Sequence, residues 1–297
     1  MKRYIVKIFL FFGLVVLIDY VFGQVCQYMF SHPKGGETRN LHYLVKECDR
    51  DIVVMGSSRA HCHYDDKMIE DSLGVGCYNA GVEGNGIIMM YGLYKQMEHK
   101  PKMLIYDVEP SFDCFEYADD QHNTRYVSVL KFFKGDVVDE ILERISPSLV
   151  YKNKSNLYRY NTRFITVAKD FLRGGGSKQY GFDPALGEMS EEPVHNEGKR
   201  HSVDETKIHF VKKFIEETSK DGVKVIYVAS PKYGYDGNSL EPIKKVCKQA
   251  GIPFFDYSDD ERFQRLDFFK EPMHMNQRGA REFSRTIIDL LNLNNFD

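Results

Sequence analysis

Three short runs, Ile52–Met55, Met103–Val108 and Val223–Ala229, are apolar almost without interruption. A strand that is apolar on both faces needs cover on both faces, which is the situation of a parallel sheet. Helical patterns separate these runs. In chain order the spacing predicts strand Ile52–Met55, helix Asp65–Leu73, short strand Gly76–Asn79, helix Gly86–His99 and strand Met103–Val108. A second set follows: helix Val203–Lys220, strand Val223–Ala229, helix Leu240–Ala250, short strand Pro253–Phe255 and helix Gln277–Leu293. Alternation of this kind predicts an α/β fold, a three-layer α/β/α arrangement on a mainly parallel sheet. Residues 112–200 interrupt it with three helical spacings, Val127–Phe133, Val137–Ile145 and Leu157–Leu172. An irregular loop around Gly174-Gly175-Gly176 and a polar run to Arg200 follow. This insertion reads either as a helical lid or partner surface, or as ordinary crossover helices.

The N-terminus has a different character. Lys2, Arg3 and Lys7 precede an apolar stretch from Ile8 to Phe22 that only Asp19 breaks. From Tyr4 to Val25 it spans about 22 residues, enough to cross about 30 Å of hydrocarbon at about 1.5 Å per residue. Basic residues on its N-terminal side predict a cytoplasmic N-terminus with the remainder outside. Phe22-Gly23-Gln24-Val25 lacks the small residues of a signal-peptidase site, and Gln24 and Val25 stand where a lipoprotein needs small residues before Cys26. The stretch therefore reads as an uncleaved anchor over residues 1–30, ahead of an α/β domain over residues 31–297. A polar stretch over residues 31–50, with one short helix at Leu41–Glu47, joins the two.

Composition narrows the functional classes. A net charge of −3 over 297 residues gives no reason to expect a nucleic-acid partner. The 42% apolar and 28% charged content is that of a globular protein. Six scattered cysteines with no Cys-x-x-Cys exclude a zinc ribbon or a thioredoxin motif.

Two distant segments carry the chemistry. Ser58, in Gly56-Ser57-Ser58, follows the first strand, where open α/β sheets bind ligands. A serine hydroxyl needs a base to become a nucleophile. Glu271 and His274, three apart in a Pro-containing turn ahead of the last helix, offer a base and a carboxylate to orient it. Asn276 stands at the N-cap position of that helix. A third segment, Asn79-Ala-Gly-Val-Glu-Gly84-Asn85-Gly86, is a glycine- and asparagine-rich loop after the second strand. Its Gly84 N–H is a candidate oxyanion donor, with Asn79 or Asn85 bracing the loop or touching substrate. Arg59 is placed either to bind an anionic or acyl-carrying substrate or to pair with Asp107 or Glu109. Ser230 and Tyr233, after the strand Val223–Ala229, are expected at the pocket rim.

Gly56-Ser57-Ser58, the Asn79-to-Gly84 loop and Glu271-Pro-Met-His274 together resemble blocks of the SGNH (GDSL-like) hydrolase superfamily. They resemble most its membrane-anchored cell-envelope branch, which includes DltD- and AlgJ-like proteins. The resemblance spans roughly residues 50–295 and implies Ser58 as nucleophile, His274 as base, Glu271 as acid and Gly84 as an oxyanion donor. It implies acyl transfer through a serine ester, to water or to a sugar hydroxyl of envelope or exported polysaccharide, without a metal or other cofactor. The expected partners are an acylated polysaccharide, the membrane and, through the anchor, a membrane protein. Two departures stand out. Ser57 occupies the usual acidic position, and the Gly-x-Asn-Asp block after the third strand is replaced by Tyr106-Asp107-Val108-Glu109-Pro110-Ser111. That replacement favours the alternative of a catalytically silent scaffold or polymer-binding module. A third reading comes from His61-x-His63-x-Asp65-Asp66, which resembles the zinc-ligand motif of metallo-β-lactamase-like proteins, with His122 as a further ligand. Otherwise His61 and His63 line the pocket mouth or face solvent.

Overall fold

The computed structural model describes residues 2–116, 127, 129–133, 135–173, 180–193, 202–234 and 240–293. They form two compact units, residues 1–43 with 127–177 and residues 44–126 with 178–297.

The larger unit holds a five-stranded, fully parallel sheet of β1 (Ile52–Gly56), β2 (Cys77–Asn79), β3 (Met103–Asp107), β4 (Lys224–Ala229) and β5 (Phe254–Asp256), in the spatial order β2-β1-β3-β4-β5. Every residue of β1 and β3 is buried, as their unbroken apolar sequence requires. Alternate residues serve opposite faces. Ile52, Val54, Ile105, Ile226 and Val228 join Phe283, Ile287 and Leu291 of the helix Gln277–Leu293 in one core layer. On the other face the ring of Tyr106 meets Phe214 of the helix Glu205–Lys220, and Phe210 of that helix meets Tyr91 of the helix Ile87–Gln96. Helices therefore cover both faces, which establishes the three-layer α/β architecture. The chain passes from β1 to β2 on one side and then returns to place β3 on the other. The crevice between the carboxyl ends of β1 and β3 is thus a switch point of the sheet.

Outside the sheet, β6 (Phe269–Glu271) and β7 (His274–Met275) form a tight antiparallel hairpin that the sequence pattern read only as a turn. Two strands of three and two residues are too short to show a periodicity.

The smaller unit is helical. The helix Lys2–Ser31 runs for 30 residues with a mean hydropathy of 2.4 over its most apolar stretch, where no side chain is buried. Its contacts with the insertion begin at Asp19, whose carboxylate accepts from Ser155 and Asn156. Phe22 packs on Tyr160 and Phe164, Tyr28 on Phe171, and Phe30 on Phe132 and Phe133. The predicted helix Leu157–Leu172 is two helices, Asn156–Tyr160 and Phe164–Arg173, with a break at Asn161–Arg163. Among the described residues of Val127–Phe133, only the 3-10 turn Leu130–Phe132 is helical. The helix Asp136–Ile145 matches its sequence pattern, and the helix Gly36–Lys46 starts five residues earlier than expected. Asp170 explains the early start, because its carboxylate accepts bonds from the N–H and hydroxyl of Thr38. Residues 174–179 and 194–200, part of the expected loop, lie outside the described residues.

Candidate active site

The path to Ser58 begins with a glycine. Gly56 ends β1 at φ +150°, and a Cβ there would lie 2.6 Å from the Asp107 carbonyl oxygen and 2.9 Å from the Ala60 side chain. Only glycine fits this close approach. Ser57 follows in an extended conformation and caps the helix Ser58–His63, its Oγ accepting from the Arg59 N–H at 3.3 Å. Ser58 is thereby the first helical residue, partly exposed at the carboxyl end of β1. First-turn N–H groups have no intrahelical partner. Neither the Ser58 N–H nor the Gly84 N–H donates to another group among the described residues.

The β6–β7 hairpin brings the other segment into place. Glu271 and His274 are direct cross-strand partners, so their three-residue spacing becomes side-by-side contact. Nδ1 of His274 bonds Oε1 of Glu271, and Nε2 lies 2.7 Å from Ser58 Oγ. The second carboxylate oxygen, Oε2, accepts from the Met273 N–H at 3.1 Å. Partial burial pushes the Glu271 pKa up, but the bonds from His274 and Met273 outweigh it and hold it below its ordinary value. An ionised Glu271 fixes the His274 proton on Nδ1, which leaves Nε2 to accept from the Ser58 hydroxyl. The hairpin itself is pinned from three sides. The Met275 N–H donates to His63 Nε2 at 2.9 Å, the Tyr233 N–H to the Pro272 carbonyl at 3.0 Å, and the Met189 N–H to the Phe269 carbonyl at 2.7 Å. Asn276 Oδ1 accepts from the N–H groups of Arg278 and Gly279, making it the expected N-cap.

Several other candidates take structural positions instead. Arg59 is 2% exposed and donates to Glu109 Oε2 at 2.7 Å, to Ser230 Oγ and to the Ser230 carbonyl. No part of it is left for a substrate, and the expectation of a binding role is corrected to the ion pair with Glu109. Burial would lower its pKa, but Glu109 and Asp107 raise it further, and Glu109 is in turn held below its usual value by Arg59 despite burial. Ser230 is fully buried, with its hydroxyl shared among Arg59, His63 and Asp107, so it does not reach the rim. Asn79 is buried as well. Its Nδ2 donates to the carbonyls of Ala60 and Tyr64, and its Oδ1 accepts from the Gly81 N–H. It is a brace that ties the loop after β2 to the serine-bearing helix. The buried Asn85 closes its own turn through the Glu83 carbonyl at 2.8 Å. The bonds that Asn79 and Asn85 make are those of the bracing role. Gly84 sits at φ +64° in that loop. Tyr233 remains partly exposed, its ring 5.8 Å from Phe269 of the hairpin.

His63 was expected at the pocket mouth or in solvent, yet it is fully buried. Its Nδ1 lies 2.9 Å from Ser230 Oγ, and its ring stands 6.4 Å from that of His274. Burial first, then Arg59 and His274, push its pKa well below the ordinary value. His61 is partly exposed beside the Gly81 carbonyl. Asp66 accepts the N–H groups of Asn79, Gly181 and Phe182. With His63 and Asp66 turned to such partners, the zinc-ligand reading fails. No cluster of three potential metal ligands occurs among the described residues, and His122 lies outside them. The six cysteines are buried thiols.

No family model and no curated protein matches the chain. Among solved structures, a proposed acylhydrolase from Bacteroides fragilis NCTC 9343 is similar over 92% of this chain and 95% of its own, at 11% identity and a TM-score of 0.41. A GDSL-like lipase from Bacteroides thetaiotaomicron VPI-5482 is similar over 83% of this chain and 87% of its own, at 10% identity and a TM-score of 0.36. An acetyl xylan esterase from the rumen bacterium Butyrivibrio proteoclasticus is similar over 84% of this chain and 65% of its own, at 11% identity and a TM-score of 0.40. Likenesses this distant carry no argument about activity, which rests on the geometry alone.

Proposed function

We propose that this protein is a membrane-anchored serine acyl-esterase or O-acyltransferase of the SGNH type, acting outside the cytoplasm on acyl groups of envelope or exported polysaccharide. The observation that carries the reading is the relay Ser58–His274–Glu271, with Nε2 at 2.7 Å from Ser58 Oγ and the carboxylate on the opposite ring nitrogen. Ser58 Oγ attacks the acyl carbonyl while His274 Nε2 takes its proton. Glu271 stabilises the imidazolium that forms. The N–H groups of Ser58 and Gly84 receive the oxyanion. Collapse of the tetrahedral intermediate breaks the ester bond, and His274 returns the proton to the leaving alcohol. Water, or a sugar hydroxyl, then attacks the acyl-serine with His274 as base again, and Ser58 is regenerated. The apolar helix Lys2–Ser31 with basic residues ahead of it supports the anchor and its orientation. That location favours acyl groups of envelope or exported polysaccharide as the substrate.

The end of β3 favours a second reading, a catalytically silent scaffold. Asp107 stands there fully buried against Tyr64 and Ser230, and Ser111 donates to Glu109, so neither supplies an oxyanion donor. Labelling of the full-length protein in detergent with a fluorophosphonate separates the two. Modification of Ser58 is the expected result, and a protein that stays unlabelled while folded is the scaffold.

A further inference from the structure

Asp19 is the only charge within the apolar run, and the smaller unit is built around it. Its carboxylate accepts four bonds, from Ser155 Oγ at 2.7 Å, from the Asn156 N–H and side-chain amide at 3.0 Å each, and from the Leu157 N–H at 2.9 Å. It thus caps the helix Asn156–Tyr160 from another part of the chain. Four residues on, Gly23 leaves the space that the Asn156 side chain fills, since a Cβ there would lie 2.3 Å from it. Phe164 packs on Phe22 at 5.3 Å between ring centroids. The insertion's near end therefore meets the apolar helix at residues 19–23, and residues 2–18 project beyond it with every side chain exposed.

That projecting length is informative. Between the charges of Arg3 and Asp19, fifteen residues of helix rise about 22 Å, short of a hydrocarbon core of about 30 Å. A short span is accommodated by thinning of the bilayer and by flanking residues that reach into the interface. The flanking structure is suited to this. At the level of Asp19 and Phe22 the insertion exposes Leu157 (42%), Phe164 (36%) and Ile165 (80%). Tyr151, Lys152 and Lys154, all exposed, stand just ahead of Leu157 in the chain. Apolar side chains edged by tyrosine and lysine are the composition of a membrane interface, where the ring and the ammonium reach the headgroups.

We propose that Asp19 is a latch that docks the helical insertion on the outer end of the anchor and seats Leu157, Phe164 and Ile165 in the headgroup interface of the bilayer. The occupant of this apolar edge is lipid, continuous with the lipid around residues 2–18. The inference rests on the reading of the apolar run as a membrane anchor.

The chain contains no tryptophan, so single-tryptophan variants report depth directly. The full-length protein is reconstituted in phosphatidylcholine and phosphatidylglycerol vesicles whose acyl chains carry bromine both near the glycerol and near the chain end. Trp emission from Phe12→Trp tests the anchor and that from Ile165→Trp tests the seating. Strong quenching and blue-shifted emission in both are expected. Quenching in Phe12→Trp with water-like, unquenched emission in Ile165→Trp overturns the seating while leaving the anchor. Absence of quenching in both overturns the anchor, and the seating with it. Adding Asp19→Ala to Ile165→Trp is expected to remove most of the quenching there, without changing Phe12→Trp. Unchanged quenching at position 165 eliminates the latch.

Discussion

The carboxyl edge of the sheet carries two clusters of serine, histidine and acid, and they differ in which nitrogen of the histidine faces the serine and in access to solvent. In the first, His274 stands in the middle, with Ser58 on Nε2 and Glu271 on Nδ1. In the second, Ser230 stands in the middle, with His63 on one side and Asp107 on the other. Because the Met275 N–H occupies His63 Nε2, the His63 proton sits on Nδ1 and points at Ser230. His63 is therefore a donor to that serine and cannot take its proton. Arg59 crowds the same hydroxyl, and the whole cluster is closed to solvent. Residue types do not decide function here. The order of connection and access do.

The sharpest way to break the comparison is to remove one member of each cluster. Ser58→Ala or His274→Ala is expected to reduce turnover of a small acetyl ester by about 10⁴-fold or more, because a relay of this kind acts as a unit. The same Ser58→Ala change should move stability by no more than about 1 kcal/mol, since a partly exposed hydroxyl is lost and nothing buried is orphaned. Glu271→Gln should cost less activity than His274→Ala, because the base survives without its orienting charge. Steady-state kinetics with thermal melts on the same preparations check all three. Equal turnover in Ser58→Ala and the parent would remove covalent catalysis from consideration.

In the buried cluster the expectation reverses. Arg59→Met keeps volume but leaves Glu109 buried without its cation, at a cost of about 3–5 kcal/mol. Among the described residues Glu109 then keeps only Ser111 Oγ as a side-chain donor. A large fall in the urea midpoint is expected. Ester turnover per folded molecule should fall far less than in Ser58→Ala, since Arg59 touches no reacting atom. A variant as stable as the parent would mean that the pair is not what holds this edge together.

How much of this was legible beforehand follows from the range of each interaction. The strands β1, β3 and β4 read correctly because the signal is local, a run of buried residues. Ser58, Glu271 and His274 could be singled out because a strand end and a three-residue spacing are also local, and the structure brings the three side chains together. The sequence left the two roles of Arg59 open and put His63 in the wrong environment for the opposite reason. Their partner Ser230 lies 171 and 167 residues away, and nothing around residue 60 announces it. The partners of Asp19 are as remote, 136 to 138 residues downstream, and nothing around residue 19 announces them. The break at Asn161–Arg163 was hidden by apolar spacing that continues across it.

The smallest expected effect tests whether His63 is neutral in the fold. Its pKa is held well below 6.5 by burial, with Arg59 and His274 adding to the depression. In the unfolded chain it takes a proton near pH 6.5, while the folded protein does not, so the unfolded state binds more protons below that point. Stability from His63 is therefore complete above about pH 6.5 and is lost as pH falls, at up to about 1.4 kcal/mol per pH unit. Other groups titrate over the same range, so the informative quantity is a difference. His63→Gln cannot titrate, yet it offers an amide to the Met275 N–H and to Ser230. Unfolding free energies of parent and variant, measured between about pH 7 and pH 5, should converge as the medium becomes more acidic. Parallel curves would mean that His63 is charged in the folded state, and the buried cluster would then have to be wired with its proton on both nitrogens, which the donated Met275 N–H forbids.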